Sequence, residues 1–149
     1  MKATFLDLDG TCTCLAARKA ARYLTAAYDK ALAPAGLRIT QFTILNKLAR
    51  LGPMTIKRLA AAMAMDRTTL ATNLKPLERD GLLATAAAED RRATAIEITE
   101  AGIATIEEAL PLWACAQRKF EAGYGTKAAS ELRSALGGVL EAGLDPWAE

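Results

Sequence analysis

The residues of this sequence that are best suited to chemistry are its three cysteines. Cys12 and Cys14 stand where a long helix is predicted to begin, and Cys115 stands in a later helix. Amide dipoles at a helix N-terminus favour the thiolate, and Arg18, one turn beyond Cys14, adds positive charge. These thiols are therefore either oxidisable groups or, as free cysteines often are, small packing residues.

The absence of histidine narrows the chemistry further. Without an imidazole, Ser–His and Cys–His catalysis and histidine-ligated metal sites are excluded. A Cys-x-Cys pair with one distant third thiol is a poor set of metal ligands. We therefore expect neither a metal nor a cofactor.

A pair of aspartates near the N-terminus offers an enzymatic alternative. Residues 4–11 resemble the first motif of haloacid-dehalogenase-type phosphatases, in which Asp7 would attack phosphorus and Asp9 would act as acid and base. That fold needs a parallel sheet with alternating helices, whereas the sequence after Thr11 predicts a helix and no later strand–helix units. We expect residues 1–11 to form a flexible arm, in which Asp9 or Thr11 caps the first helix, and the protein not to be an enzyme.

Residues 55–99 carry the strongest pattern in the chain. A short helix capped by Thr55 is followed by a tight connection and a second helix capped by Asp66, as in a helix-turn-helix. Leucines at spacings of four and three give the second helix a buried face, and side chains opposite them can donate to phosphates and base edges. This polar set is Arg67, Thr68, Thr69, Thr72, Asn73 and Lys75.

The periodicity changes after the helix-turn-helix. Ile96 and Ile98 alternate with smaller or polar residues, which indicates a strand, and residues 82–88 are its expected antiparallel partner across a charged turn. The hairpin makes the unit winged, and Arg91 and Arg92 at its tip are placed to reach a minor groove or the DNA backbone. Residues 55–99 therefore predict a DNA-binding unit.

Long helices flank this unit on both sides. Neither flank has enough large apolar residues to form a core alone, so we expect an obligate homodimer. We expect a kink at Pro111 and a helix start capped by Thr40. The other predicted helices cover residues 12–33, 40–51, 100–122 and 126–141. Residues 12–149 would then form one subunit, with a DNA-binding part at about 40–99 and dimerisation helices at about 12–33 and 100–142.

The charge distribution permits an anionic partner without establishing one. The formal net charge is +2, but residues 1–54 carry 8 basic against 3 acidic side chains, and residues 100–149 carry 4 against 8. No stretch approaches the ~18 consecutive apolar residues of a membrane span. With no signal-peptide pattern at the N-terminus, we expect a cytoplasmic protein with reduced thiols.

Together these segments resemble the MarR family of winged-helix transcriptional regulators from residue 12 onward. The resemblance rests on residues 59–63, 66–70, 74–83, 89–93 and 98–102. It implies a mainly α fold with one small antiparallel hairpin, a homodimer with interlocking terminal helices, and a pseudo-palindromic duplex DNA operator. It also implies that Asp90 orients Arg92 in the minor groove. Pro76 departs from the pattern, because it removes a backbone donor to the carbonyl of Thr72.

The signal that releases such a repressor is left open between an oxidant and a small molecule. Cys14, Tyr28 and Cys115 resemble the reactive cysteine, the tyrosine that contacts it across the dimer, and the resolving cysteine of OhrR-like peroxide sensors. Cys12 is the neighbour of Cys14, and Ile39 stands near where a second tyrosine is expected. The alternative is an ordinary ligand cleft, for which the candidate lining residues are Tyr23, Tyr28, Phe42 and Trp113.

Overall fold

A computed structural model describes residues 4–87 and 94–148. The helices are α1 (Leu8–Thr11), α2 (Thr13–Leu32), α3 (Ile39–Leu51), α4 (Ile56–Met63), α5 (Arg67–Arg79), α6 (Glu100–Tyr124) and α7 (Thr126–Val139). The strands are β1 (Met54–Thr55), β2 (Leu83–Ala87) and β3 (Thr94–Ile98), and a 3-10 turn covers Ala33–Ala35. The expected mainly helical fold with a small antiparallel hairpin is confirmed. None of the helices in the described ranges is both long and apolar enough to cross a membrane.

The start of α2 differs from the prediction. Residues 8–11 of the expected arm form the helical turn α1, which Asp7 caps by accepting a hydrogen bond from Gly10 N at 3.4 Å. This turn separates Asp9 and Thr11 from α2, so neither caps that helix. Cys12 does so instead, with its Sγ accepting from Leu15 N at 3.4 Å.

The start of α3 also lies one residue earlier than predicted. Its N-cap is Arg38 rather than Thr40, and the Arg38 amide donates to Gln41 Oε1 at 2.9 Å. The amide of Ile39 donates to Asp29 Oδ1 of α2 at 2.8 Å. A carboxylate from a different helix therefore satisfies a donor that would otherwise be unpaired at the helix start.

The sheet has three antiparallel strands in the order β1-β3-β2. Thr85 of β2 lies opposite Ile96 of β3, and Met54 of β1 lies opposite Ile96 on the other side. The hairpin β2–β3 confirms the predicted wing strands, although β2 is rich in alanine. Strand β1 was not predicted, because two residues are too short to show an alternating pattern.

The core lies where α3, α4 and α5 meet the sheet and the facing parts of α2 and α6. The fully buried large side chains are Leu32, Ile44, Leu45, Leu48, Leu59, Leu70 and Leu77. Burying each such side chain contributes roughly 1.5–3 kcal/mol. This shared core is what holds α5 against the rest of the winged unit.

Gly102 allows the first turn of α6 to pack directly against Leu82 and Ile98 at the base of the wing. A methyl group at residue 102 would lie 2.4 Å from the carbonyl oxygen of Leu82 and 2.6 Å from Cγ1 of Ile98. Thr99 fastens the same junction, because its hydroxyl donates to Gly81 O at 2.7 Å and accepts from Gly102 N at 3.1 Å. The wing base and the first turn of α6 are therefore joined closely.

We predict that Gly102→Ala destabilises the fold by about 1–3 kcal/mol, because the added methyl group must displace backbone or Ile98. The matched control is Gly123→Ala in the same helix, where an added methyl group meets nothing within 4 Å. That substitution should stabilise by about 0.5–1 kcal/mol through helix propensity. Urea unfolding at fixed protein concentration measures both, and equal midpoints for the two variants would contradict the close approach.

Candidate nucleic-acid interface

The connection between α4 and α5 is a tight turn. Helix α4 is capped by Thr55, whose Oγ1 accepts from Arg58 N at 3.2 Å, and it ends at Ala64 in the left-handed conformation with φ 51°. The Met65 amide closes the turn by donating to Ala60 O at 2.9 Å. This geometry confirms the predicted helix-turn-helix.

Asp66 begins α5 as predicted. Its Oδ1 accepts from Thr69 N at 2.7 Å, and its Oδ2 accepts from the Thr69 hydroxyl at 2.7 Å. These hydrogen bonds lower the pKa of the Asp66 carboxyl. The cap is therefore an ionised carboxylate at neutral pH, at the positive end of the helix dipole.

Helix α5 divides into a buried and an exposed face. Leu70, Leu74 and Leu77 are buried, which confirms the predicted apolar stripe. Of the polar side chains that the sequence singled out, Arg67, Thr68, Thr69, Thr72 and Lys75 are exposed. Asn73, three residues after Leu70 and four before Leu77, is half-buried at the edge of the apolar stripe. We call these six residues the polar face of α5.

Pro76 does not end α5. The helix continues to Arg79, and the Asp80 amide donates to the Pro76 carbonyl at 3.0 Å. Lys75, directly before the proline, remains exposed on the polar face. The end of α5 is tied to the wing, because the Leu82 amide donates to Leu77 O at 2.9 Å just before β2 begins. The predicted wing residues Asp90, Arg91 and Arg92 lie outside the described residues.

The cysteines and Tyr28 are spread along two helices. Cys12 is half-buried, and Cys14 and Cys115 are exposed. Cys14 and Tyr28 both belong to α2, where their separation along the axis is about 21 Å at ~1.5 Å per residue. A contact between these two residues therefore requires a second subunit.

Tyr28 belongs to a polar chain that joins three helices. Its hydroxyl donates to Gln117 Oε1 of α6, and Gln117 Nε2 donates to Glu121 Oε1 at 3.1 Å. Arg133 of α7 pairs with the same Glu121 oxygen at 3.6 Å. Burial and Glu121 raise the pKa of Tyr28, while Arg133 opposes them, so the hydroxyl stays protonated at neutral pH.

A cavity of about 340 Å³ opens beside this chain, between α2, α6 and α7. Trp113 and Tyr28 line it together with apolar side chains such as Phe120. Of the other two predicted cleft residues, Phe42 lies in the core and stacks on Trp113 at a ring-centroid distance of 6.3 Å, and Tyr23 is 77% exposed. The lining residues that the sequence did not indicate include Gln117, Phe120 and Arg133, which only the packing of α6 and α7 brings to this cavity.

The aspartate motif near the N-terminus has a structural use. Asp7 caps α1, and Asp9 forms an exposed ion pair with Lys19 at 3.2 Å. The sheet of the described residues is antiparallel and three-stranded. This arrangement is not the parallel sheet that the phosphatase resemblance requires.

Comparison with known proteins identifies the family. A family model described as a winged helix DNA-binding domain matches residues 37–102. The M. tuberculosis transcriptional regulator MosR, solved in complex with DNA, is 39% identical over 88% of this chain and 97% of its own, with a TM-score of 0.76. AbsC, a MarR family transcriptional regulator from Streptomyces coelicolor, is 25% identical over 94% of this chain and 97% of its own, with a TM-score of 0.74. This chain belongs to the MarR family of transcriptional regulators.

Other findings agree with membership of the MarR family. CouR, a transcriptional repressor solved on a 23-mer DNA duplex, shares the fold with a TM-score of 0.79 at 21% identity, over 93% of this chain and 99% of its own. No curated protein sequence matches the chain. The matched family model includes the helix-turn-helix and both strands of the hairpin, so the prediction of a DNA-binding transcriptional regulator is confirmed. Its solved relatives are described as transcriptional regulators rather than enzymes.

Proposed function

We propose that this MarR-family chain is a homodimeric, sequence-specific repressor whose α5 enters the major groove of a pseudo-palindromic operator. The observation that carries this proposal is the polar face of α5, on which five side chains are exposed and Asn73 is half-buried while the leucines of the same helix are buried. Thr68, Thr69 and Asn73 would read bases, Arg67 and Lys75 would contact phosphates or base edges, and Thr72 would contact base edges. Because its partner is chromosomal DNA, we place its action in the cytoplasm.

The wing completes the proposed interface. Strands β2 and β3 extend from the end of α5, so the turn between them would lie beside the same stretch of DNA. In this proposal Asp90 orients Arg92 toward the minor groove, and Arg91 contacts the backbone.

Exposed apolar side chains support the homodimer. They concentrate in the N-terminal segment and from the second half of α7 onward, where a second copy would cover them. The set is Phe5, Leu6, Leu8, Leu136, Val139, Leu140, Leu144 and Trp147. Apolar side chains concentrated at the two chain ends are typical of an interface rather than of scattered surface residues.

A small molecule is the first candidate signal. The cavity between α2, α6 and α7 is lined mainly by apolar side chains, with the Tyr28 hydroxyl, the Gln117 amide and Arg133 as polar groups. Apolar walls with a few polar groups are typical of ligand sites. A ligand there would contact both a dimerisation helix and the helices that hold the winged unit.

An oxidant is the second candidate, favoured by the exposure of Cys14 and Cys115. A hydroperoxide would convert the Cys14 thiolate to a sulfenic acid and leave as the alcohol. The thiol of Cys115 from the other subunit would then displace water and form a disulfide. Cys12 is the neighbouring thiol, and its Sγ already caps α2.

The dimer predicts a solution mass near twice the 15.8 kDa of one chain. Leu140→Glu, at a position 71% exposed in the single chain, should shift the mass toward one subunit, because a carboxylate would be buried in the interface. Leu51→Glu is the control, since Leu51 is 54% exposed on α3, away from the proposed interface. Light scattering that gives the parent the mass of one chain at micromolar concentration would contradict the dimer.

DNA binding predicts different effects for two basic residues. Arg92→Ala should weaken binding by about 1–3 kcal/mol, and Lys75→Ala should weaken it on all sequences and lower the slope of log K against log salt by about 1. Lys127→Ala removes an equally charged, exposed side chain on α7 and should change neither quantity. Fluorescence anisotropy on duplexes selected from a randomised pool measures the effects. Unchanged binding in both test variants would refute this placement.

DNA binding of cysteine variants in the presence of hydroperoxide distinguishes an oxidant signal from a small-molecule signal. If thiols carry the signal, the parent loses DNA binding and regains it with a thiol reductant. Cys14→Ser should bind DNA and ignore peroxide, whereas Cys115→Ser should change the reversibility more than the response. A variant with all three cysteines replaced by serine that still loses binding like the parent would exclude the thiols and leave the cavity as the sensor.

A further inference from the structure

The hydrogen bond between Thr69 and Asp66 has a fixed direction. Thr69 Oγ1 lies 2.7 Å from Asp66 Oδ2. A hydroxyl carries one proton and an ionised carboxylate carries none, so Thr69 is the donor. The bonds from Thr69 also lower the pKa of Asp66, which keeps it ionised. The remaining capacity of the exposed Thr69 hydroxyl is its lone pairs, which only accept.

The same reasoning applies one turn further along α5. The Thr72 hydroxyl donates to Thr68 O at 3.1 Å, and Asn73 Nδ2 donates to Thr69 O at 2.8 Å. A carbonyl oxygen only accepts, so the direction of both bonds is fixed. Thr72 therefore keeps only acceptor capacity, and Asn73 keeps its Oδ1 acceptor and one amide proton.

The polar face of α5 is thus divided by hydrogen-bonding type. In its middle, the Thr69 and Thr72 hydroxyls present only acceptors, Asn73 presents its Oδ1 acceptor and one amide proton, and the Thr68 hydroxyl is of a type that can donate or accept. Its two ends carry Arg67 and Lys75, whose side chains only donate. The description of these residues as polar does not by itself indicate this distribution of donors and acceptors.

Resting on the proposed DNA-binding function, we propose that the middle of α5 reads the exocyclic amino groups of adenine or cytosine, with the Thr69 hydroxyl as acceptor and Asp66 as its positioning residue. In the major groove, adenine N6 and cytosine N4 are the amino donors, whereas guanine N7 and O6 and thymine O4 are acceptors. A keto oxygen facing Thr69 would meet lone pairs and leave both groups unpaired. The Asp66 carboxylate therefore determines from which bases the Thr69 hydroxyl can accept a hydrogen bond.

The test deletes single amino groups from the DNA. Duplexes enriched by the parent from a randomised pool are remade with purine in place of one adenine, or 2-pyrimidinone in place of one cytosine, at each position in turn. Fluorescence anisotropy then measures affinity for the parent, Thr69→Val and Thr69→Ser. At one position the deletion should weaken the parent and Thr69→Ser about tenfold and leave Thr69→Val unchanged.

Asp66→Asn tests the positioning role at that position. Asparagine is also a good N-cap, so α5 keeps its start. Its Oδ1 would accept from the Thr69 amide, and its Nδ2 would donate to the Thr69 hydroxyl, which turns the hydroxyl proton outward. The parent should prefer adenine over guanine, or cytosine over thymine, at that position. This preference should be lost or reversed in the Asp66→Asn variant.

The outcomes separate this inference from the function on which it rests. If amino deletion weakens Thr69→Val as much as the parent at every position, Thr69 reads no amino group and the inference is wrong, although DNA binding stands. If Asp66→Asn retains the full amino preference, Asp66 does not position the hydroxyl. If the parent enriches no duplex from the pool, the proposed function itself fails.

Discussion

Burial of three leucines on one side of α5 is the constraint on which the rest of the interface depends. Leu70, Leu74 and Leu77 enter the core shared by α3, α4 and the sheet, and this fixes the rotation of α5 about its axis. Of the residues between these leucines, Thr72 and Lys75 are exposed as a result, whereas Ala71, Asn73 and Pro76 are half-buried. Hydrogen bonds within α5, such as those from Thr69 to Asp66 and from Thr72 to Thr68, then orient the polar side chains on its exposed side.

Features set by neighbouring residues could be predicted from the sequence. The Asp66 cap and the leucine stripe depend on spacings of a few positions, and both are present. The hairpin was predicted for the same reason, from a turn and the alternation around Ile96. The fold class could also be predicted from the sequence, because few architectures contain these local elements in this order.

Features that depend on partners distant in the chain could not be predicted. The start of α3 is determined by Asp29 of another helix, and β1 exists because β3 offers it an edge. Aromatic residues were the least predictable, since helical spacing alone does not distinguish the exposed Tyr23 from the buried Phe42. The polar chain from Tyr28 to Arg133 joins residues of three helices, and no spacing in the sequence indicates it.

The close approach at Gly102 has a mechanical consequence. Since the first turn of α6 is bonded to the base of the wing through Thr99 and Leu82, a tilt of this helix would be passed on to the winged unit. Helix α6 spans 25 residues, or about 37 Å at ~1.5 Å per residue, so it is a long lever. In the proposed dimer, a tilt of about 5° at the far end of that lever would move the winged unit by roughly 3 Å, which is close to the rise of one base pair (~3.4 Å). A small change at the contact between subunits would in this way shift α5 out of register with the base pairs that it reads.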